Sequence, residues 1–235
     1  PTVGQINDDI PLDLAAAPFP NIYYYDETDP SLDYEVGWVA PTSLSHTMNE
    51  GEGYTVYFNA FAGITLDIEG VPITGSLSRG LTYTAGSNPP NNATSPQGWN
   101  FVGNPYPSPI DFDLLMSGAS NSIQRGYYTW DPVTKSYNSY VGGISSPSSF
   151  TKNIHSMQGF WVRVDAAATL NFNNSCRIND PSVMTTPFLK SSPLTMPIVR
   201  LSMVGLTSTC ETVVVLRDQA TKNFDSDYDA HFLKS

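Results

Sequence analysis

The stretch Gly126–Asp131 has the sequence GYYTWD, and its pattern also occurs earlier in the chain, at Ile22–Asp26 (IYYYD). In both stretches an aromatic-rich run ends at an aspartate, and Asp26 and Asp131 are 105 positions apart. Aromatic and β-branched residues favour strands, and an aspartate favours the turn that follows a strand. We therefore predict that each stretch forms a β-strand that ends in a turn.

Two further matches follow in the same order. Gly53–Val56 (GYTV) resembles Gly159–Val162 (GFWV), which lies 106 positions later, and Leu66–Ile68 (LDI) resembles Leu170–Phe172 (LNF), 104 positions later. A glycine before an aromatic strand permits a bulge or a close approach of the backbone. Matches at a nearly constant offset indicate an internal duplication of a strand–turn–strand unit, about 105 residues long.

The remainder of the chain also has the pattern of a β-protein. Val199–Met203 (VRLSM) alternates apolar and polar residues, which is the period of a strand. Helical periodicity is nearly absent, and the best helical candidate is Ile110–Ser117, where Asp111 could cap one or two turns. Short apolar runs broken by Gly, Pro and Asn predict an all-β fold, sandwich-like or jelly-roll-like, built from the duplication.

We expect three regions along the chain. Residues 1–178 are predicted to form the duplicated β-sandwich, with repeat units at about 18–75 and 104–178. Residues 179–197 are rich in Pro, Ser and Thr and are predicted to be a linker. Residues 198–235 would supply strands of a following or completing β-domain. Both ends resemble cuts from a longer chain, so we expect flanking segments.

Charge and hydropathy exclude some classes of partner. The chain has 22 Asp and Glu against 11 Lys and Arg, a formal net charge of −11. Binding of phosphate backbones needs clustered Lys and Arg, so we expect no nucleic-acid partner. No run of about 18 apolar residues occurs, so we expect no membrane span. The acidic excess serves solubility in the simplest interpretation, and binding of divalent cations is the functional alternative.

The stretch Gly98–Phe112, GWNFVGNPYPSPIDF, resembles a signature of large secreted proteins of Bacteroidota that are exported by the type IX secretion system. Ile154–Val162 (IHSMQGFWV) and Thr212–Ala230 resemble two further landmarks of these proteins. The resemblance implies a β-rich region that precedes a C-terminal sorting domain, outside the cell or anchored at the outer membrane. Because such proteins include adhesins, gliding-related proteins and enzymes, it implies location better than activity.

We therefore expect a non-enzymatic structural or adhesive module of a secreted or cell-surface protein, in a fibre or a multidomain stalk. Its partners would be other domains of the same chain or neighbouring subunits, joined by strand addition. The histidines His46, His155 and His231 form no spaced ligand pair, and no metalloprotease, nucleophile-elbow or phosphate-loop motif occurs, so we predict no catalytic residues. A secreted hydrolase with a site assembled in space stays as an alternative.

Surface aromatic residues give another alternative, a carbohydrate-binding module whose partners are extracellular glycans. Of the four tryptophans, Trp38 and Trp130 lie beside turns, whereas Trp99 and Trp161 lie in apolar strands and are predicted to pack in the core. An aromatic platform next to a hydrogen-bonding side chain can hold a sugar ring. The predicted ligand residues are Trp38, Tyr128, Trp130 and Asp131.

The carboxylates of Asp225, Asp227 and Asp229 alternate along the chain. In a loop they could converge on Ca²⁺, which prefers several oxygen ligands, and calcium is the one cofactor that the sequence suggests. The alternative is a solvated acidic turn.

Cys176 and Cys210 are the two cysteines of the chain. They could form one disulfide, worth roughly 3–4 kcal/mol, or remain as two buried thiols, and their spacing matches no metal motif.

Overall fold

The computed structural model describes residues 1–15, 19–29, 37–58, 65–85, 97–180, 197–205, 209–231 and 233. The protein is an all-β, sandwich-like fold of antiparallel sheets, as predicted. Its strands are Ile22–Tyr25 (β1), Trp38–Val39 (β2), Tyr54–Val56 (β3), Leu77–Leu81 (β4), Trp99–Gly103 (β5), Ile110–Asp111 (β6), Gly126–Asp131 (β7), Ser136–Val141 (β8), Ile144–Ser146 (β9), Asn153–Ile154 (β10), Gly159–Arg163 (β11), Ala168–Phe172 (β12), Ile198–Val204 (β13) and Thr209–Val215 (β14). The helices are short: Gly4–Asn7 (α1), Phe112–Met116 (α2) and a 3-10 turn at Asn174–Cys176. None of the described helices has the length and apolar character needed to cross a membrane.

A five-stranded sheet in the order β5–β11–β7–β8–β9 forms the centre of the protein. Successive side chains of a strand point to opposite faces, so neighbouring residues such as Tyr127 and Tyr128 belong to different clusters. On one face, Tyr127 and Phe160 pack against the β4–β12 pair and α2, where Leu170 and Phe112 are almost fully buried. This is the main core of the protein.

The predicted duplication reappears in how the strands pair. β1 pairs antiparallel with β3 and sets Tyr23 opposite Thr55, whereas β7 pairs antiparallel with β11 and sets Tyr128 opposite Trp161. The first two sequence matches therefore occupy equivalent positions in two strand pairs. The third match does not, because Leu170–Phe172 pairs with β4 while residues 66–68 lie outside any strand.

Phe101 joins the two strand pairs. The Gly53 N–H donates to the Phe101 carbonyl at 3.1 Å, and on the other side of β5 Gly159 pairs with Gly103. A Cβ atom on either Gly53 or Gly159 would lie 2.6 Å from the Phe101 ring. The glycine that both repeats place before an aromatic strand is thus needed for the close approach of one shared ring.

The third predicted region is a separate antiparallel hairpin of β13 and β14, with seven ladder pairs from Ile198↔Val215 to Val204↔Thr209. Most of the predicted linker, 179–197, lies outside the described residues. The predicted domain limits therefore stay a prediction.

Gly159→Ala should destabilise the protein by about 1–3 kcal/mol, because the added methyl group collides with the Phe101 ring in a packed region. Gly80→Ala in β4 is the matched control, since a Cβ atom there meets nothing within 4 Å. The free energies of unfolding are measured by urea denaturation. Equal losses in the two variants would contradict the packing role of Gly159.

Candidate functional site

The polar side chains of Gly98–Phe112 are used inside the protein. The amide of Asn104, which is 5% exposed, donates to the carbonyls of Ser108 and His155, each at 2.9 Å, and its oxygen accepts from the Tyr106 N–H at 3.0 Å. Asp111 accepts from two backbone N–H groups of α2, as the sequence predicts, and forms a 2.8 Å ion pair with Lys152. The most distinctive run of the sequence therefore uses its polar side chains to fix its own turn and helix start and to hold them to residues 152 and 155.

The second face of the five-stranded sheet is covered with aromatic side chains, and we call it the aromatic face. It consists of Trp99, Phe101, Tyr128, Trp130, Tyr137 and Trp161. Tyr25 and Trp38 pack on it from β1 and β2, with ring centroids 4.6 Å and 5.4 Å from that of Trp161. The tryptophans predicted to pack in the core, Trp99 and Trp161, are 1% and 4% exposed, which confirms that prediction.

The residues predicted to bind carbohydrate have different surroundings. Tyr128 is buried, so its prediction as a surface ligand is wrong: it lies in a fully paired strand. Trp38 is half-buried, with its ring 5.5 Å from Phe101. Trp130 is 44% exposed beside Tyr137, and the Asp131 carboxylate accepts from the Val133 N–H at 2.8 Å in the turn between β7 and β8. Of the predicted aromatic residues, Trp130 is thus the most exposed, at 44%.

Residues 224–231 and 233 cover part of the aromatic face, and we call them the C-terminal strap. Leu233 packs into the cluster that contains Trp99 and Tyr128. The His231 N–H donates to the Tyr128 hydroxyl at 2.9 Å, and the His231 ring lies 5.5 Å from that of Trp99. The strap is therefore held by an apolar side chain and by a histidine that reaches into the sheet.

The His231 ring sits among polar groups of the sheet. Its Nε2 lies 3.0 Å from an Arg163 nitrogen and 2.9 Å from the Gln124 amide oxygen, and Gln124 donates in turn to Asp165 at 2.8 Å. Burial, together with the positive charge of Arg163, lowers the pKa of His231 to about 4. The ring is therefore neutral at neutral pH. Sequence reasoning missed this group because its members come from distant parts of the chain.

The carboxylates predicted to bind calcium are not gathered into a ligand set. Asp225 accepts from the Asp227 N–H at 3.0 Å, and Asp229 accepts from the Asp225 N–H at 2.7 Å, so they shape an exposed turn. Within the described part of the chain, the three carboxylates that do meet are those of Asp8, Asp9 and Asp67, whose oxygens lie within 4.8 Å of one another. Asp9 raises the pKa of Asp67 through its negative charge.

The two cysteines are free thiols, which corrects the disulfide alternative. Cys176 is buried next to α2 and Cys210 is exposed on β14. The alternative of two buried thiols holds for Cys176 alone, and burial raises the pKa of its thiol.

The β13–β14 hairpin presents apolar side chains to solvent, and we call this side the hairpin outer face. It consists of Val199, Leu201, Met203, Cys210, Thr212 and Val214. Leu201 and Met203 are 59% and 73% exposed. The charged side chains of the hairpin, Arg200 and Glu211, form a 2.6 Å ion pair on the opposite side, where Arg200 also donates to the Ser145 carbonyl. The charged pair of the hairpin thus faces the body of the protein, while apolar side chains face solvent.

Acidification should destabilise the protein through His231. Its pKa is lower in the folded chain, about 4, than the ordinary value of 6.5, so the unfolded state gains a proton first as the pH falls. The contribution to stability is present above pH 6.5 and is lost progressively down to about pH 4, by about 1–3 kcal/mol after allowance for partial solvent screening.

The measurement compares free energies of unfolding at pH 7 and pH 4.5 for the wild type, His231→Gln and His155→Gln. The wild type and His155→Gln should lose stability alike, and His231→Gln should lose less, because it lacks the group that titrates. An identical pH dependence in all three proteins would contradict the role given to His231.

Comparisons with known proteins give a family and no further relative. No curated protein and no solved structure matches the chain. Residues 13–235 match a family described as a domain of unknown function, DUF8693. Because this match extends over nearly all of the sequence, the protein belongs to the DUF8693 family.

Proposed function

We propose that this chain is a non-enzymatic structural or adhesive module of a secreted or cell-surface protein. The observation that carries the proposal is the use of Asn104 and Asp111, the most distinctive polar side chains of the sequence, for internal hydrogen bonds and an ion pair. Several large aromatic and apolar side chains also stay exposed, among them Trp130 and Met203. These groups suit contact with another surface better than bond-breaking chemistry.

Strand addition is the contact that the topology favours. β13 pairs with β14 on one side, and no described strand pairs with its other edge. β14 lies near β9, where the Ser146 hydroxyl hydrogen-bonds with the Glu211 side chain at 3.2 Å. An edge strand offers a row of backbone donors and acceptors to a neighbouring domain or subunit, which supports the idea of a fibre or stalk.

The proposed extracellular location is supported by the resemblance of Gly98–Phe112 to secreted proteins of Bacteroidota. It is tested by treating intact cells of the native host with protease and probing for the chain by immunoblot. We expect loss of the band without lysis, or the protein in the medium. Protection until the cells are broken would overturn the proposed location.

The absence of catalysis is tested with the purified chain on panels of chromogenic esters, glycosides and peptides. We expect no turnover above that of a heat-denatured sample. Turnover that disappears in His46→Ala, at the histidine 3.3 Å from the Tyr54 hydroxyl, or in His155→Ala would favour the hydrolase alternative instead.

Carbohydrate binding is a second candidate function, favoured by the exposed ring of Trp130. Its centroid lies 5.2 Å from that of Tyr137, which is directly opposite on β8. The two rings form an apolar surface at the end of β7 and β8, on which a sugar ring could stack.

A glycan array tests this candidate. If a glycan binds, Trp130→Ala should weaken binding by about tenfold or more, because the stacking surface is removed. Val133→Ala is the control, since Val133 is 86% exposed in the same turn and should leave affinity unchanged. An empty array, or an equal loss in both variants, would argue against carbohydrate binding.

A further inference from the structure

The far end of the C-terminal strap is attached to the sheet through side chains. Within the described residues, the backbone–backbone hydrogen bonds of the strap lie inside its own turn at 225–229. The contacts that reach the aromatic face are those of His231, whose N–H donates to the Tyr128 hydroxyl, and the packing of Leu233. The described strand ladders therefore stay complete when this end of the strap leaves the sheet.

The start of the strap is held by a different contact. The Arg217 guanidinium lies 4.7 Å from the centre of the Tyr228 ring and also donates to the Gly142 carbonyl, in the turn between β8 and β9. This contact does not involve His231. The strap thus remains tied at its start while its far end moves.

The His231 ring faces a donor and an acceptor with the same nitrogen. Its Nε2 lies 3.0 Å from an Arg163 nitrogen, which only donates, and 2.9 Å from the Gln124 amide oxygen, which only accepts. Nε2 without a proton pairs with Arg163 and turns its lone pair on the Gln124 oxygen. Nε2 with a proton pairs with Gln124 and opposes the N–H of Arg163. No protonation state of the ring satisfies both neighbours.

Both neighbours are fixed by other residues. The Gln124 amide nitrogen donates to Asp165 at 2.8 Å, so turning the amide over would bring its oxygen against a carboxylate. Arg163 Nε donates to the Gln97 carbonyl at 3.0 Å. The conflict at His231 is therefore relieved by departure of the ring rather than by rearrangement of its neighbours.

A proton added to His231 brings a second positive charge beside Arg163. The titratable side chains around the ring come from β7, from β11 and the residues after it, and from the strap's own turn: Tyr128, Arg163, Asp165, Asp225 and Asp229. Burial raises the pKa of Tyr128 to about 12, so it stays neutral. Asp165 favours the proton, but its carboxylate is exposed and lies 3.9 Å from Arg163, which offsets its charge.

Trp99 carries a further cost in the closed arrangement. Its indole is 1% exposed, and among the described residues no acceptor pairs with its Nε1. The ring lies 5.5 Å from that of His231 and belongs to the cluster of Leu233. A buried donor without an acceptor costs free energy, which hydration recovers when the donor is exposed. Two unfavourable features thus meet at the far end of the strap.

We propose that the far end of the C-terminal strap is a detachable cover, anchored by His231 and Leu233, which opens on acidification while the five-stranded sheet stays folded. The sheet keeps its other cover, because the main core contains no residue of the strap. Tyr25 and Trp38 likewise stay packed on the aromatic face.

Opening has a consequence for the surface of the protein. It uncovers Trp99 and Tyr128 on the face that also carries the exposed ring of Trp130. The aromatic surface available to a partner is therefore larger in acid than at neutral pH. This inference goes beyond the proposed function, which a permanently closed strap would leave intact.

The size of the pH effect follows from linkage. The pKa of His231 is about 4 with the strap closed and the ordinary 6.5 with it open, so the open state takes up the proton first. Closure is therefore favoured most above pH 6.5 and loses its advantage as the pH falls to about 4. Between pH 7 and pH 5 the open fraction should rise about tenfold, after allowance for partial solvent screening.

Hydrogen exchange of the Trp99 indole N–H, measured by NMR, tests the proposal. The signal that is missing in Trp99→Phe identifies the group, and dividing its rate by that of N-acetyltryptophanamide removes the intrinsic effect of pH. In the wild type and in His155→Gln this ratio should rise about tenfold from pH 7 to pH 5, whereas in His231→Gln it should stay nearly constant. The backbone amides of β7 and β11 should keep their protection.

A second pair of variants tests the anchor at a single pH. At pH 7, Leu233→Asp should raise the Trp99 exchange ratio about 10- to 100-fold, because a buried apolar anchor is lost. Leu216→Asp is the matched control, since Leu216 is 65% exposed, and it should leave the ratio unchanged.

Three outcomes would overturn the proposal. The first is a wild-type ratio that does not change between pH 7 and pH 5, and the second is an equal change in His231→Gln. The third is a loss of protection of the β7 and β11 amides in parallel with the Trp99 indole, which would show that the whole sheet opens. Equal ratios in Leu233→Asp and Leu216→Asp would remove Leu233 as an anchor and overturn it as well.

Discussion

Burial of the central five-stranded sheet on both of its faces is the constraint on which the other parts of the structure depend. One face packs on the β4–β12 pair and α2, and the aromatic face is covered by Tyr25, Trp38 and the C-terminal strap. A sheet covered on both sides needs apolar residues at consecutive positions, as at Tyr127 and Tyr128. The cover of the aromatic face comes from segments near both ends of the chain, and the other cover comes from its middle.

The Phe101 ring shows how the duplication is turned into one structure. Two equivalent strand pairs flank β5, and the glycine at the start of β11 and the glycine before β3 both approach the same ring. The repeated glycine therefore has a packing role, because each copy leaves out a side chain where the shared ring has to fit.

The sequence was sufficient for features that depend on local pattern. Aromatic-rich runs that end at an aspartate predicted the strands at Gly126–Asp131 and Ile22–Tyr25, and Asp111 predicted the start of α2. It was insufficient where burial is decided at a distance. Tyr128 was predicted as a surface ligand, but it is buried, and its hydroxyl accepts a hydrogen bond from the His231 N–H, 103 positions later in the chain. Likewise, alternation in Val199–Met203 predicts a strand, but only tertiary contacts reveal that Arg200 faces inward and Leu201 outward.

The C-terminal strap also sets an order of events during synthesis. Its contacts join His231 to residues 68 and 107 positions earlier in the chain. During synthesis, β5, β7 and β11 can pair before residues 224–233 have been added to the chain. In that interval the strap does not yet cover Trp99 and Tyr128. Incomplete chains would expose aromatic side chains of this face to solvent, which favours aggregation. Protection by a chaperone or by a confined space would therefore matter most before the strap is made.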